Sequence, residues 1–449
     1  MSVTTDMKRN EQIKKDFKEK MDYDELLNCM RCGFCLPSCP TYIETKGNEA
    51  ASPRGRIALM KAVVDGKMEP DEDFEAQLSL CLGCRACEPA CPSGVKYGHL
   101  LEQALDILQT KKKYSPPVKM FRSLIFNQLF PHQSRMRGLN GLLWFYQNSG
   151  VQKVARATKM TGIVGKHLST MERVLPSIAS PKQLKNRPSH VEAEGVVKKK
   201  VAFFSGCLMD TMFMETNDST LYLLKKANCD VVIPQTQNCC GALHAHSGEM
   251  DTAKELAKKN IVAFEEGEFD HIVSNAGGCG AVLVDYGHIL KDEPKWKQRA
   301  EAFSAKVKDI SEILLDVGLP EMELDPQIIT YQDSCHLRNV QGTFSAPRKL
   351  LQSIKGTQFM EMKDADQCCG SAGTYNIIEQ EMSMQILDHK MAKVDEVKAA
   401  TIVTANPGCL LQMKLGVERE GKQKTMKAVH IVDLLAEAVK YKEKQLQKV

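Results

Sequence analysis

Cys29-Met30-Arg31-Cys32-Gly33-Phe34-Cys35-Leu36-Pro37-Ser38-Cys39-Pro40 is one of two copies of a single pattern; the other is Cys81-Leu82-Gly83-Cys84-Arg85-Ala86-Cys87-Glu88-Pro89-Ala90-Cys91-Pro92. Both read C-x2-C-x2-C-x3-C-P without a gap, the run that holds [4Fe-4S] clusters in pairs. Three thiolates on one tight loop reach three irons of a single cube. The fourth, carried beyond by the chain, ligates the other cube. The spacing therefore assigns Cys29, Cys32, Cys35 and Cys91 to one cluster, and Cys81, Cys84, Cys87 and Cys39 to the second. Such a crossing ties the two halves together and brings the clusters close enough for electrons to pass between them. Four thiolates also suit zinc, but a third closely spaced cysteine and a following proline are unusual for zinc pairs. Gly33, Gly83 and Gly94 allow tight turns near sulfide, where backbone N–H groups hydrogen-bond to sulfur.

Helices are expected around these loops. Between them lies SPRGRIALMKAVVDG (52–66). Ser52 suits an N-cap and Pro53 the first turn, and Ile57, Met60 and Val64 recur at helical spacing. After the second loop, GHLLEQALDIL (98–108) places Leu100, Leu101, Ala104, Leu105 and Leu108 on one face. Residues 1–20 are polar and mixed in charge, and read as a frayed or helical arm.

The chain has 449 residues, 17 of them cysteine. The N-terminus lacks the apolar core of a signal peptide, which points to a cytoplasmic protein in which disulfides are a poor account of so many cysteines. Mean hydropathy is -0.30, and no run approaches the ~18 apolar residues of a membrane span. Net charge is +4, yet residues 111–200 carry 18 Lys or Arg against 3 Glu. A basic segment of this kind suits nucleic acid, an anionic membrane surface or an acidic partner. Beside cluster motifs, a partner or a peripheral membrane contact is the reading, with no nucleic acid. KKKYSPPVK (111–119) reads as an irregular linker, because Pro116 and Pro117 stop regular structure. FRSLIFNQLF (121–130) and GLLWFYQ (141–147) are apolar islands that either cover neighbouring domains or dock a membrane or partner. SIASPKQLKNRPSHVEAEG (177–195) reads as an exposed connection.

The last 250 or so residues contain an internal repeat. Cys207, Cys239-Cys240-Gly241 and Cys279 are followed by Cys335, Cys368-Cys369-Gly370 and Cys409, at displacements of 128 to 130 residues. Short β-rich runs precede cysteines: VAFFSGC (201–207), HIVSNAGGC (271–279), IITYQDSC (328–335) and TIVTANPGC (401–409). Charged helical segments lie between them, so each copy reads as a small α/β domain with a parallel sheet. The cysteines then fall in loops at the C-terminal ends of strands, where such sheets place their sites. Each set of four is a candidate for a further iron–sulfur cluster or a zinc ion. Buried cysteines without a redox role, or a disulfide, are the alternative. Cys229 has no counterpart and reads as a small buried apolar residue. His244, His246 and His336 lie near these cysteines, and His336, directly after Cys335, is the best placed for a role.

The fold class is thus α+β: a helical two-cluster ferredoxin-like domain (1–110), a basic linker or docking segment (111–197) and two Cys-Cys-Gly domains (198–320 and 325–445). No Gly-x-Gly-x-x-Gly or Gly-Lys-Ser/Thr fingerprint marks a nucleotide site, and no catalytic residue is singled out.

CMRCGFCLPSCPTY, SPRGRIALMK, CLGCRACEPACPSGVKYG, NCCGALHAHSG, QCCGSAGTYN and NPGCLLQ together resemble the iron–sulfur subunit of bacterial glycolate oxidase, from about residue 20 to the C-terminus. The wider family includes iron–sulfur subunits of anaerobic glycerol-3-phosphate dehydrogenase, lactate-utilisation proteins and heterodisulfide reductase subunits. The resemblance implies that the eight N-terminal cysteines hold two [4Fe-4S] clusters. It also implies a separate FAD-binding 2-hydroxy-acid dehydrogenase subunit that oxidises glycolate to glyoxylate. Electrons would pass through this chain toward a respiratory acceptor, with quinone at the membrane the expected one. The chain would be an electron carrier within an oxidoreductase complex. Lactate and glycerol 3-phosphate are the alternative substrates of such a partner. A catalytic quinone or disulfide reductase and a zinc-stapled scaffold are alternative roles. Heterodisulfide reductase relatives complete their Cys-Cys-Gly site with a C-x2-C pair. Here Cys279 is followed by Gly-Ala-Val and Cys409 by Leu-Leu-Gln, so neither pair is complete.

Overall fold

The computed structural model describes residues 3–112, 114–158 and 165–447. The chain divides into two compact units. One comprises Met1–Ser123, Gly241–Ala253 and Gly370–Ile386; the other comprises Leu124–Cys240, Lys254–Cys369 and Leu387–Val449.

The first unit is built from short helices around the two cysteine loops. Ser52 caps the helix Pro53–Val64 by accepting from the Gly55 N–H at 3.0 Å, with Pro53 at the first position. Asp71 does the same for Glu72–Ser79 through Phe74 N–H at 2.9 Å. Met60 and Val63 then meet Phe74, Leu78, Leu100, Leu101, Ala104 and Leu108 in one apolar core. The helix Tyr97–Lys111 presents the face expected of it, with Leu105 at the margin. The expected arm is helical, and it is packed into the core instead of standing free. Val3–Lys20 is a helix whose Ile13 and Phe17 are fully buried, with Phe17 set edge-on to Phe74 at 5.6 Å. Ile13, Phe17 and Met21 recur every four residues, a narrow stripe that the many flanking charges obscure.

The segments that follow both Cys-Cys-Gly triplets also belong to this unit. His246 Nδ1 lies 2.9 Å from the Glu102 carboxylate, Met250 N–H donates to Asp106 at 3.2 Å, and Tyr375 O–H donates to Leu80 O at 2.9 Å. Gly248 rests on the backbone of Leu105, where an added Cβ would come within 2.5 Å of the carbonyl oxygen.

The second unit contains two sheets. Strands β1 (His190–Val191), β2 (Lys199–Phe204), β3 (Cys229–Val232), β4 (His271–Ser274) and β5 (Val307–Asp309) form the first, in the order β1-β3-β2-β4-β5. Strands β6 (Glu323–Gln332), β7 (Lys355–Phe359), β8 (Thr401–Thr404) and β9 (Lys427–His430) form the second, in the order β7-β6-β8-β9. All pairings are parallel except that of the edge strand β1. In each sheet the chain leaves its first motif strand to one side, then crosses to the other. The loops after β2 and β4, and after β6 and β8, therefore diverge at a topological switch point, the usual crevice for a ligand. The two repeats are joined within this unit: Gly277 N–H donates to Ala405 O at 3.0 Å, and Gly278 N–H to Asn406 Oδ1 at 3.0 Å.

Two expectations for the connecting segment change. Pro116 opens the helix Pro116–Arg122 instead of stopping structure, because a proline at the first helical position lacks only an N–H that would be unused there. The connection 177–195 is not simply exposed. It carries a helix, Pro181–Lys185, closed by a Ser180/Gln183 capping box, and β1, which pairs with β3. Within the apolar islands Phe126 is buried, while Phe121, Leu124, Leu142 and Phe145 are largely exposed. Among the described residues, no helix is long and apolar enough to cross a membrane.

Asp309 ends β5 and caps the next helix, accepting from Ser311 N–H at 2.8 Å. Burial pushes its carboxyl from the ordinary 3.8 up to about 7. Between those values the unfolded chain has released a proton that the folded chain keeps, so this group's contribution to stability falls as pH rises through that window. Asp309→Asn keeps a good cap. It should raise the thermal midpoint more at pH 8 than at pH 4, relative to the native chain; an equal change at both would contradict the protonated carboxyl.

Candidate functional site

The two N-terminal cysteine loops have the same backbone. In the first, Arg31 and Gly33 have φ of 57° and 89°; in the second, the equivalent Gly83 and Arg85 have 62° and 58°. Holding a non-glycine residue in this left-handed region costs about 1–2 kcal/mol, and here each loop holds one. The turns that follow also match. Leu36 N–H reaches Gly33 O at 3.0 Å and Cys39 N–H reaches Leu36 O at 3.1 Å; Glu88 to Arg85 and Cys91 to Glu88 repeat them at 3.0 Å. In the second loop N–H and O–H groups turn toward sulfur. Gly83 N–H donates to Cys81 Sγ at 3.4 Å, and Tyr97 O–H donates to the same sulfur at 3.5 Å.

Cys39 and Cys87 are buried, Cys32 is exposed, and Cys29, Cys35, Cys81, Cys84 and Cys91 are half-buried. Burial pushes the thiols of Cys35, Cys39 and Cys87 up. Cys81 adds to the effect at Cys39, while Cys84, Cys81 and Cys39 all add to it at Cys87. Cys39 therefore feels the cysteines of the second loop, although Cys35 also feels Cys39.

Arg56 is the residue that sequence reasoning passed over. Its side chain is fully buried, donating from Nε to Gln77 O at 2.7 Å and from Nη2 to Thr41 Oγ1 at 3.1 Å. Thr41 Oγ1 in turn lies 3.3 Å from Cys39 Sγ. Nη1 is buried with no hydrogen-bond partner among the described residues. Burial works against the Arg56 charge, but Cys81, Tyr97 and Cys39 outweigh it and hold its pKa above the usual arginine value. A signal existed: Arg56 shares the apolar face of its helix with Met60 and Val63. Neighbouring arginines are neutralised, Arg54 by Glu49 at 2.6 Å and Arg85 by Glu88 at 2.7 Å. Soft sulfur ligands, N–H groups aimed at sulfur and a buried cation lacking a carboxylate form a donor set that fits an anionic iron–sulfur cluster.

In the first repeat the four cysteines form a chain of contacts, with Cys207, Cys239 and Cys240 buried and Cys279 half-buried. Cys207 Sγ and Cys239 Sγ are 3.4 Å apart, and Cys240 hydrogen-bonds to both Cys239 and Cys279. These hydrogen bonds between thiols, with burial, push the thiols of Cys207 and Cys240 well up. Asn260 and Tyr286 fix the backbone behind the pair, Asn260 Nδ2 donating to Cys239 O at 2.9 Å and Tyr286 O–H to Cys240 O at 2.9 Å. In the second repeat Cys368, Cys369 and Cys409 are buried and Cys335 is half-buried. Asn406 Nδ2 donates to Cys409 Sγ at 3.7 Å. Lys390, 130 residues beyond Asn260, takes its place: it is buried, donates to Asp364 O and faces Cys369 and Cys368. Burial lowers its pKa while those cysteines oppose the shift. Among the described residues, no three His, Cys, Asp or Glu side chains converge on the position of a single metal ion. No disulfide links the cysteines.

Cys229 is fully buried at the start of β3, and burial pushes its thiol up to about 11. In the first unit His244 is buried and His246, in contact with Glu102, is half-buried; His336 is half-buried in the helix Cys335–Asn339.

Residues 25–95 match the family model described as a 4Fe-4S dicluster domain, residues 117–175 the linker region of the glycolate oxidase iron-sulfur subunit, and residues 201–284 and 329–414 a cysteine-rich domain. A probable glycolate oxidase iron-sulfur subunit of Bacillus subtilis (strain 168) is 60% identical over 443 residues, covering 98% of this chain and 100% of its own. The glycolate oxidase iron-sulfur subunit of Escherichia coli (strain K12) is 29% identical over 412 residues, 91% of this chain and 93% of its own. Lactate utilization protein A of Oceanobacillus iheyensis is 36% identical over 238 residues, 53% of this chain and 96% of its own.

Gly55 is set between the two arginines that reach toward the loops. A Cβ there would lie 1.9 Å from Glu49 O, so the backbone that positions Arg54 and Arg56 would have to move. Gly55→Ala should destabilise the first unit by about 1–3 kcal/mol, read as a lower thermal midpoint and faster proteolysis within residues 1–110. An unchanged midpoint would contradict the packing described.

Proposed function

Because the chain belongs to the family of glycolate oxidase iron–sulfur subunits, we propose that it relays electrons from an FAD-binding 2-hydroxy-acid dehydrogenase subunit toward a respiratory acceptor. It is an electron-transfer iron–sulfur subunit of an oxidoreductase complex of the glycolate oxidase type. The partner oxidises glycolate to glyoxylate, and the acceptor is quinone at the cytoplasmic face of the membrane. The observation that carries this reading is the pair of cysteine loops with matching left-handed turns.

Two [4Fe-4S] clusters occupy the ferredoxin-like domain, which spans residues 1–110. When bound, a cube of this kind takes up and releases one electron at a time. Cys29, Cys32, Cys35 and Cys91 hold the first, and Cys81, Cys84, Cys87 and Cys39 hold the second. The influence of Cys81 on Cys39, and of Cys39 on Cys87, supports the exchange of the fourth ligand. Gly83 N–H and Tyr97 O–H steady Cys81 by donating to its sulfur. The helices on either side exclude water from Cys39 and Cys87.

Residues 111–197 serve as a docking segment for the partner or the membrane surface. Their basic charge and the exposed Leu142, Phe145 and Val154 support this use. The Cys-Cys-Gly domains, 198–320 and 325–445, organise the complex. Their cysteines, lying at switch points, are candidates for a further cluster or zinc; the contacts among Cys207, Cys239, Cys240 and Cys279 favour the first repeat as that place.

The ligand exchange makes a sharp test. Cys39→Ser and Cys87→Ser should each abolish the same one of two cluster signals in low-temperature EPR, whereas Cys91→Ser and Cys32→Ser abolish the other. If Cys39→Ser instead removes the signal lost in Cys32→Ser, each loop keeps its own fourth ligand and the exchange is wrong.

A further inference from the structure

We infer that Arg56 biases the cluster pair, making the position held by Cys39, Cys81, Cys84 and Cys87 the more readily reduced of the two. This rests on the two-cluster reading above and adds the resting place of the electron to it.

Adding an electron makes a thiolate-ligated cluster more negative, so a fixed positive charge beside it favours reduction. Arg56 is such a charge. It is anchored by Gln77 O at 2.7 Å and Thr41 Oγ1 at 3.1 Å, and none of its partners is a carboxylate. A buried guanidinium normally comes with an acid, since an unpaired buried charge is costly. Here the Thr41 hydroxyl that accepts from Arg56 lies 3.3 Å from Cys39 Sγ, and Nη1 retains a donor with no partner among the described residues. A cluster on that sulfur supplies the missing counter-charge. Both sides gain, because the cation also offsets the burial of Cys39 and Cys87, which by itself would disfavour the more negative reduced state.

The other position lacks this feature. Arg54 approaches its loop, donating from Nη1 to Arg31 O at 2.9 Å. Its guanidinium, however, is partly exposed and bound by Glu49 at 2.6 and 3.1 Å. That carboxylate cancels most of its field, and water screens the remainder. Cys32 is exposed, and Cys35 receives backbone hydrogen bonds from Arg54 and Cys35 itself. The second position thus combines the Tyr97 hydroxyl with a cation that no carboxylate pairs, whereas Arg54, the cation that approaches the first, is paired with Glu49.

Arg56 is a positioning residue of electrostatic kind, and a potential is the readout that separates this from mere support of the fold. Full-length protein purified without oxygen would be titrated with dithionite in the presence of mediators, and both cluster signals followed by EPR. Arg56→Gln should make the higher-potential cluster at least tenfold harder to reduce, a shift of about 59 mV or more for one electron, and leave the other nearly unmoved. Arg56→Lys should restore most of the difference. Equal movement of both signals, or of neither, would overturn the assignment. The native protein gives a second test should Arg56→Gln fail to fold. Its higher-potential signal must be the one missing in Cys87→Ser and present in Cys32→Ser, and the reverse would overturn the proposal. A protein with fewer than two clusters would instead contradict the reading beneath it, which iron content reveals separately.

Discussion

A seven-residue loop can turn three sulfurs toward one centre only if its backbone reverses curvature between them. In this chain that reversal falls at the second and fourth residues after the leading cysteine, in both loops. One loop places arginine then glycine there and the other glycine then arginine, so each accepts one strained residue. Strain of this sort persists where the surroundings over-determine it. The surroundings here are the helices Pro53–Val64 and Tyr97–Lys111, whose apolar faces close the core behind the loops. Hence the capped helix starts, the glycine at 55 that lets the chain pass Glu49 and the arginine at 56 all trace back to seating two curled loops side by side.

Much of this is legible in the sequence because it is local. Cysteine spacing, the Ser52 cap and the alternation of β-rich runs with charged helices each depend on residues within a few positions of one another. The four runs expected to precede cysteines became β2, β4, β6 and β8, and each motif pair lies adjacent in its sheet. What escaped depends on distant partners. Ile13 and Phe17 look like scattered apolar residues in a polar arm until Phe74 is placed beside them. Pro116 reads as a break until its first-turn position is known. Arg56 reads as one of many surface charges until Thr41, Gln77 and the sulfurs enclose it. The edge strand His190–Val191 is too short to announce itself and exists because β3 offers it an open edge.

The duplicated domains show divergence on a common frame. Equivalent helices bring Asn260 and Lys390 to the same depth behind their cysteine pairs, one neutral and tied to the backbone of Cys239, the other a buried amine facing Cys368 and Cys369. Repeats that keep the backbone and change the charge behind it are no longer interchangeable. The segments that leave each Cys-Cys-Gly triplet are shared property of another kind: they belong to the unit that holds the N-terminal loops. The chain thereby connects both repeats covalently, within a few residues, to the cluster-binding unit.

Electron transfer by this chain depends first on what the eight N-terminal cysteines hold. Iron, acid-labile sulfide and zinc should be measured per chain on protein purified without oxygen. At least eight iron and eight sulfide is the predicted result for two [4Fe-4S] cubes, with any iron or zinc beyond that belonging to the Cys-Cys-Gly repeats. Zinc without acid-labile sulfide would contradict it, and the loops would then be structural staples, not a path for electrons.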